Sequence, residues 1–389
     1  MNWPEFTSEA IAWEPDASFP VSRRQQLRNR GSYQGAVAPL IAKQPLEVSS
    51  GVLAIADEAV TEIARFDVEL GQMIAPFASI LLRSEAASSS QIENLSASPA
   101  AIVRAEIGLK ETVNSALIVS NQQAMSAAVA AGSSLSLETL LLMHRVLMEK
   151  FDPQNAGRLR EVPVWIGGDG FGPHRAHYVA PRAEKVPELL ADLLAFCQRD
   201  DLPGLVQIAI AHAQFESIHP FTDGNGRTGR ALVQVLLNRL GITQSVMVPV
   251  SAGLMHNTVN YVAALDHYRA GNPEPIIEVF AQASLFAVAN GRVLALELEK
   301  VRASWSQLLN VRGDAGAVRL LDELLATPVI NRNRATAVLG TSPANAQLAI
   351  DKLVAVGILT QQGEGQRNRV WQALDVLTAL ENFAISLRR

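Results

Sequence analysis

Apolar residues recur at three- and four-residue intervals along most of this chain, so helices dominate the expected fold. Over 51–150 the pattern is helical throughout and rich in alanine and leucine, both strong helix formers. Leu205, Ile208, Ala209, His212 and Phe215 share one helical face, with Asp201 and Pro203 as a start signal. A second stripe, Leu232, Val235, Leu236 and Leu240, stops at Gly241. A third helical stretch, 261–281, breaks at Gly271-Asn272-Pro273. The period changes at 162–166 and 176–180, where β-branched and aromatic residues around a glycine-rich turn (167–175) predict a hairpin. After a hinge at 312–316 come helices over 317–326 and 332–339 and a third started by Ser342-Pro343 and ended by Gly357. Leu359-Thr360 and Val370-Trp371 then flank Gly363-Glu364-Gly365 as a two-stranded wing. The expected fold is mainly α. Its domains are an N-terminal arm (1–45), a helical region (46–135), a central helical core with its hairpin (136–310) and a winged helix-turn-helix (311–389).

The chain has 389 residues, 48% hydrophobic, enough for two or three domains with a substantial core. A net charge of −5 implies no global attraction to polyanions. Cys197 is the sole cysteine, which excludes an internal disulfide and fits a reducing compartment. The opening Met1-Asn2-Trp3-Pro4-Glu5 lacks the basic head and apolar core of a secretory signal. No uninterrupted apolar run approaches the length of a membrane span. A soluble cytoplasmic protein is the expectation. The basic cluster Arg23, Arg24, Arg28 and Arg30 reads as part of an extended arm packed on the domain or facing solvent, in preference to a partner site.

Between the two helical stripes lies the densest chemistry: Ser217-Ile218-His219-Pro220-Phe221-Thr222-Asp223-Gly224-Asn225-Gly226-Arg227-Thr228-Gly229-Arg230. A glycine-rich loop running into a helix N-terminus presents backbone N–H groups and the positive end of the macrodipole to an anion. Gly224 and Gly226 let the backbone curl without a Cβ in the way, and Arg227 and Arg230 add forked donors suited to phosphate. Asp223 is a hard oxygen ligand suited to a Mg²⁺ that arrives with a nucleotide. Gly224-x-Gly226-x-x-Gly229 also fits a dinucleotide fingerprint. That fingerprint needs a preceding strand and an acid about 20 residues on, whereas the preceding segment is helical and 232–264 holds no acid. No lysine completes a P-loop. A bare glycine turn does not explain the joint spacing of the histidine, aspartate, asparagine and arginines.

His219-Pro220-Phe221-x-Asp223-Gly224-Asn225-Gly226-Arg227-x-x-Arg230 resembles, without gaps, the signature of Fic-domain proteins, which transfer AMP from ATP to protein hydroxyls. The resemblance covers roughly 45–300 and implies an all-helical Fic core with a β-hairpin flap. It implies His219 as general base, Asp223 as the Mg²⁺ ligand, and a turn from Gly224 through Asn225, Gly226, Arg227, Thr228 and Gly229 to Arg230 that holds the ATP phosphates. A histidine suits the base role, because a serine, threonine or tyrosine hydroxyl needs a proton acceptor with a pKa near 7. His212, two turns before His219, reads as a core histidine.

Ser89-x-x-x-Glu93-Asn94 resembles the inhibitory-helix motif of many Fic proteins. By that resemblance Glu93 occupies Arg230 and so misplaces ATP, while Ser89 anchors the segment one turn earlier. The 162–180 hairpin is similar to the family's flap, which clamps a target segment by strand pairing. His174 and His177 read as polar flap residues, not as a metal pair. Tyr261 fits the family's base-flanking helix loosely, while Arg269 stands where an asparagine is common, so adenine rests on the resemblance alone. The C-terminal module resembles winged helices carried by Fic proteins of this class. Arg332, Arg334, Gln347, Lys352, Arg367 and Arg369 favour DNA, while nine basic against seven acidic residues from Val311 onward leave a protein partner equally open. The expected activity is AMP transfer to a target docked on the 162–180 flap or to the protein itself, and a homodimer is a further expectation. The alternatives are a nucleotide-sensing transcriptional regulator and an enzyme that removes AMP.

Overall fold

The computed structural model describes residues 3–13, 22, 29–71, 73, 77–130, 135–168, 171–309, 315–363 and 369–387. Arg23, Arg24, Arg28, Arg367, hinge residues 312–314 and wing residues 364–365 lie outside them. Along the first half of the chain run β1 (Thr7–Ala12), β2 (Ser32–Val37), α1 (Ser50–Gly71), α2 (Phe77–Ile92), α3 (Pro99–Glu106), α4 (Val113–Ala130) and α5 (Leu137–Met148). Then come β3 (Trp165–Ile166), β4 (Tyr178–Val179), α6 (Val186–Cys197) and α7 (Gly204–Ile218). The second half carries α8 (Asn225–Arg239), α9 (Val250–His256), α10 (Thr258–Arg269), α11 (Glu274–Gln307), α12 (Ala315–Ala326), β5 (Val329–Asn331), α13 (Arg332–Leu339), α14 (Pro343–Ala355), β6 (Thr360–Gln361), β7 (Val370–Gln372) and α15 (Leu374–Ser386). The fold is mainly α-helical, with small hairpins and a C-terminal helix-turn-helix and sheet consistent with a winged helix.

Two compact units emerge. The first comprises 1–60, 124–241 and 258–281; the second comprises 61–123, 242–257 and 282–389.

In the first unit α7 is the axis. All its residues from Leu205 to Ile218 are buried, the mark of a core helix rather than a surface one. Two of its polar members bond inside: Gln207 donates to the Phe196 carbonyl (2.9 Å), and Tyr268 Oη donates to Gln214 (2.8 Å). The 162–180 hairpin forms, with Trp165 opposite Val179 and Ile166 opposite Tyr178. Residues 7–12 and 32–37, which read as part of an extended arm, pair instead as an antiparallel hairpin from Thr7↔Val37 to Ala12↔Ser32. The Ile11 side chain packs across Gly35, where an added Cβ would lie 2.4 Å from Cδ1 and oblige that side chain to shift. This hairpin meets the flap through an edge-to-face cluster: Trp13 lies 5.9 Å from Tyr33, 5.7 Å from Trp165 and 6.2 Å from His174.

In the second unit the sheet order is β5-β7-β6, all antiparallel. Together with α12, α13 and α14 it makes three helices and a wing. Ser342 caps α14 by accepting from the Asn345 N–H (3.3 Å), and Gly357 ends that turn at φ 80°. The sequence reading lacks β5, a three-residue strand, and α15. Asp67 on α1 accepts from the consecutive N–H groups of Gln244, Ser245 and Val246 at 3.0, 2.9 and 2.8 Å, fixing the strand-free segment before α9. Helix α11 is long and apolar enough to cross a bilayer by length and composition, and half of its most apolar window is buried within the protein.

Candidate active site

The signature loop is bounded by two left-handed residues. α7 terminates at His219, whose φ of 52° is unusual for a residue with a Cβ, and whose N–H still donates to the Phe215 carbonyl (3.0 Å). Gly224, at φ 74°, is the N-cap of α8. Between them the chain closes on itself: Asn225 Oδ1 accepts from the Phe221 N–H, and its Nδ2 donates to the Phe221 carbonyl, both at 2.8 Å. The N–H groups of Asn225, Gly226 and Arg227 precede the first intrahelical bond, Thr228 N–H to Gly224 C=O (3.0 Å). Helix geometry aims them at the loop. A Cβ on Gly224 would sit 3.1 Å from Leu147, and one on Gly229 would sit 2.5 Å from Glu216 Oε1. Glycine therefore permits the close passage of α8 over α5 and α7.

His219 is half-buried, and its Nδ1–H donates to the Glu216 carbonyl (3.2 Å), which leaves Nε2 as the basic nitrogen. The Asp223 side chain is 69% exposed; its Oδ1 accepts from the Gly224 N–H (2.6 Å), and Oδ2 lies 3.6 Å from Arg227 Nη2. Arg227, Thr228 and Arg230 are buried, and Arg227 reaches Met148 Sδ at 3.7 Å. The loop thus places the imidazole, the carboxylate, the helix N-terminus and two guanidinium side chains within a dozen residues of chain.

Two residues that the sequence reading passed over position this loop. His144, on the apolar face of α5, accepts from the Gly157 N–H at Nδ1 (3.0 Å) and donates through Nε2–H to the Asp223 carbonyl (3.0 Å). Its ring stacks on Phe221 at 3.8 Å and 2°. Burial pulls its pKa from 6.5 down to about 4, outweighing the opposing pull of Asp223, so it works as a neutral imidazole. Arg160 is buried at 3% exposure and clasps the C-terminus of α7. Its Nε donates to the His219 carbonyl (2.7 Å) and its Nη2 to the carbonyls of Ile218 (3.3 Å) and Pro181 (2.5 Å). Nη1 donates to the Val162 carbonyl (3.2 Å), and its own N–H to that of Pro220 (3.0 Å). A cation at a helix C-terminus is favoured by the macrodipole. Burial lowers the Arg160 pKa to about 10, still cationic at neutral pH. A polar residue inside an apolar helical stripe was the available signal for His144; nothing local marked Arg160.

His212 is a core residue, as read: fully buried, within 2.7 Å of Tyr261 Oη, with its pKa lowered to about 3 by burial first and Arg230 second. Tyr261 therefore supports His212. Arg269 stacks over Tyr178 at 3.8 Å and donates to Ser217 Oγ (3.2 Å), while Tyr178 Oη donates to the Ser217 carbonyl (2.7 Å). His177 pairs with Asp266 (3.0 Å), and His174 Nε2–H lies 3.2 Å from the Gly31 carbonyl. Among the described residues no three His, Cys, Asp or Glu side chains cluster as a metal site.

The residues of the inhibitory-type motif lie in the second unit. Ser89 is fully buried on α2, while Glu93 and Asn94 are exposed at its end. The helix closes in a Schellman motif, with Leu95 N–H to Ser90 C=O (3.0 Å), Asn94 N–H to Gln91 C=O (2.9 Å), and Asn94 itself left-handed at φ 61°. A glycine or asparagine after the glutamate is thus a conformational requirement that fixes where α2 stops. Asn121 braces the same turn by donating to the Ala86 carbonyl (3.1 Å) and Ser90 Oγ (3.3 Å).

Residues 134–237 match the sequence model of the Fic/DOC family. This segment is similar in sequence to Fic domains. The chain is 31% identical over 150 residues to protein adenylyltransferase fic-1 of Caenorhabditis elegans, a match covering 39% of this chain and 27% of that protein. It is 34% identical over 153 residues to its Caenorhabditis briggsae namesake, with the same two coverages. The chain spans about a quarter of the length of these curated relatives. A Fic family protein from Desulfovibrio desulfuricans G20 superposes with a TM-score of 0.57 at 20% identity, over 85% of this chain and 98% of that one, so the resemblance of fold extends beyond residues 134–237.

Proposed function

We propose that the protein transfers AMP from ATP to a serine, threonine or tyrosine hydroxyl of a target protein, releasing pyrophosphate, and that Glu93 restrains this reaction. The observation that carries the reading is the tautomer and placement of His219 at the mouth of a glycine loop that ends on the N-terminus of α8. His219 Nε2 takes the hydroxyl proton as the hydroxyl oxygen bonds to the α-phosphorus. The bond from that phosphorus to the bridging oxygen of pyrophosphate breaks. The N–H groups at the start of α8, with Arg227 and Arg230, hold the phosphates in line for that displacement. A Mg²⁺ site fits Asp223: one exposed carboxylate is what this ion uses when substrate phosphates and water complete its shell. Bound there, the ion supplies neutralisation of charge on the leaving phosphates. The names of the curated relatives at 31% and 34% identity support adenylyl transfer.

The support for Glu93 is the motif and the Schellman turn that sets the residue at the end of α2. Intact-mass analysis after separate incubations with Mg²⁺ and ATP, GTP, CTP or UTP tests both parts. Glu93→Gly is expected to gain the mass of AMP with ATP, the wild type much less, and His219→Ala none while still binding ATP. No mass gain by Glu93→Gly on itself or on proteins of a lysate, with folding verified, refutes the transferase and leaves the nucleotide-sensor reading. A gain equal in wild type and Glu93→Gly refutes the restraint alone.

A further inference from the structure

The second unit holds a cleft of about 900 Å³ whose chemistry the proposed reaction does not use. One wall is the turn after α3, Glu106 to Leu109; the other is built from the start of α13, Gln347 of α14 and Arg369 before β7. Three guanidinium side chains, Arg332, Arg334 and Arg369, line it. The single acid among the lining residues, Glu106, is already matched: Arg83 of α2 grips it with two bonds of 2.8 and 2.7 Å. Arg334 pairs with Glu323 (2.8 Å). Neither Arg332 nor Arg369 has an ion-pair partner among the described residues, and Arg369 lies 5.1 Å above the Trp371 ring. Among the described residues the cleft therefore carries uncompensated positive charge.

Two further observations specify what would occupy it. Arg332 and Arg334 stand in the first turn of α13, where positive charge opposes the helix dipole and an anion would reverse the penalty. Asn331 accepts only the Arg334 N–H (2.8 Å), so the N–H groups of Arg332 and Asn333 at the cleft wall lie ahead of any intrahelical bond. Across the cleft, Gln347 gives its Nε2 to Asp351 (2.7 Å), while its Oε1 is buried with no hydrogen-bond partner. Guanidinium groups without an ion-pair partner among the described residues, beside open N–H groups, suit a ligand that brings phosphate.

We propose that this cleft binds a nucleotide through its phosphates, at a site separate from the signature loop. A DNA duplex fits less well. Ile107 and Leu109 pack with Val370 on the core of Val103, Val329 and Leu377, so this side of the wing is walled off. The outward face of α14 offers Leu348, 67% exposed, and Asp351, which no phosphate backbone favours. Because Arg83 ties Glu106 to α2 and also donates to the Ala326 carbonyl at the end of α12 (2.9 Å), the bound nucleotide would lie one ion pair from the helix that carries Glu93.

The test is photolabelling of the full chain with 2-azido-ADP, with peptides mapped by mass spectrometry. Label is expected on peptides holding 106–109, 331–334 or 369–372, displaced by ADP and by pyrophosphate but not by a DNA duplex. The double variant Arg332→Ser/Arg369→Ser is expected to lose this label at least tenfold while label on 219–230 is unchanged. Gln347→Glu, which places a carboxylate in the cleft, is expected to do the same and guards against misfolding of the double variant. Label confined to 219–230, label retained in both variants, or displacement by duplex and not by ADP overturns the proposal. Absence of label at 219–230 bears on the adenylyltransferase reading and leaves this one standing.

Discussion

Replacing His144 by phenylalanine separates its stacking role from its hydrogen bonds. The ring still covers Phe221, but the Gly157 N–H and the Asp223 carbonyl, each bonded at 3.0 Å, lose their partner. A buried donor or acceptor left unmet costs about 1–3 kcal/mol, so a loss of about 2–4 kcal/mol is expected at pH 8. The pH dependence is the sharper test. Folding holds His144 neutral, with its pKa lowered from 6.5 to about 4, so the unfolded chain binds the extra proton. The stabilisation is complete above about pH 6.5 and is lost as pH falls toward 4. At pH 5 the wild type should already have lost about 2 kcal/mol through this residue. The variant has no such group, and His212, with its pKa lowered to about 3, weakens both proteins alike. Urea unfolding at pH 8 and pH 5 should therefore show the gap between wild type and His144→Phe narrowing by about 2 kcal/mol. A gap of equal size at both values, or no gap at pH 8, refutes the account of His144 as a neutral brace.

Arg160→Met should destabilise the protein by about 3–5 kcal/mol, since bonds to a charged donor are each worth about 1.5–3 kcal/mol and are not additive; Arg160→Lys, lacking the fork, should recover little of it in thermal melts. Gly253→Ala would set a Cβ 2.2 Å from the Ala283 carbonyl oxygen, backbone that cannot swing aside, and an expected loss of about 3 kcal/mol or more can be read from urea midpoints. Asn94→Gly should keep or slightly raise stability, whereas Asn94→Val should lower it by about 1–2 kcal/mol, because only the valine resists a φ of 61°; equal melting temperatures for the two would refute the Schellman assignment.

What was legible in the sequence was local. The loop from His219 to Arg230 and its two helices follow from glycine spacing and apolar stripes within about forty residues, and α7 and α8 lie where those stripes put them. His144 and Arg160 act on the loop from 79 and 59 residues away along the chain, through backbone carbonyls that carry no residue identity. The N-terminal hairpin escaped for a similar reason: its strands are separated by 19 residues, and their alternation is short. β5 consists of three residues between two helices and exists only because β7 pairs with it. Apart from α15, whose apolar period is local, each miss is a long-range hydrogen bond that no window of sequence displays.

The Arg160 clasp bears on how freely parts of this domain can be exchanged. Arg160 binds the carbonyls of Ile218 and His219 through its guanidinium and that of Pro220 through its backbone N–H, and the same fork holds the hairpin at Val162 and Pro181. Flap and loop are therefore a single mechanical part with a shared rivet. A hairpin transplanted from another protein would have to present matching carbonyls to Arg160. Otherwise the graft would loosen the turn at His219.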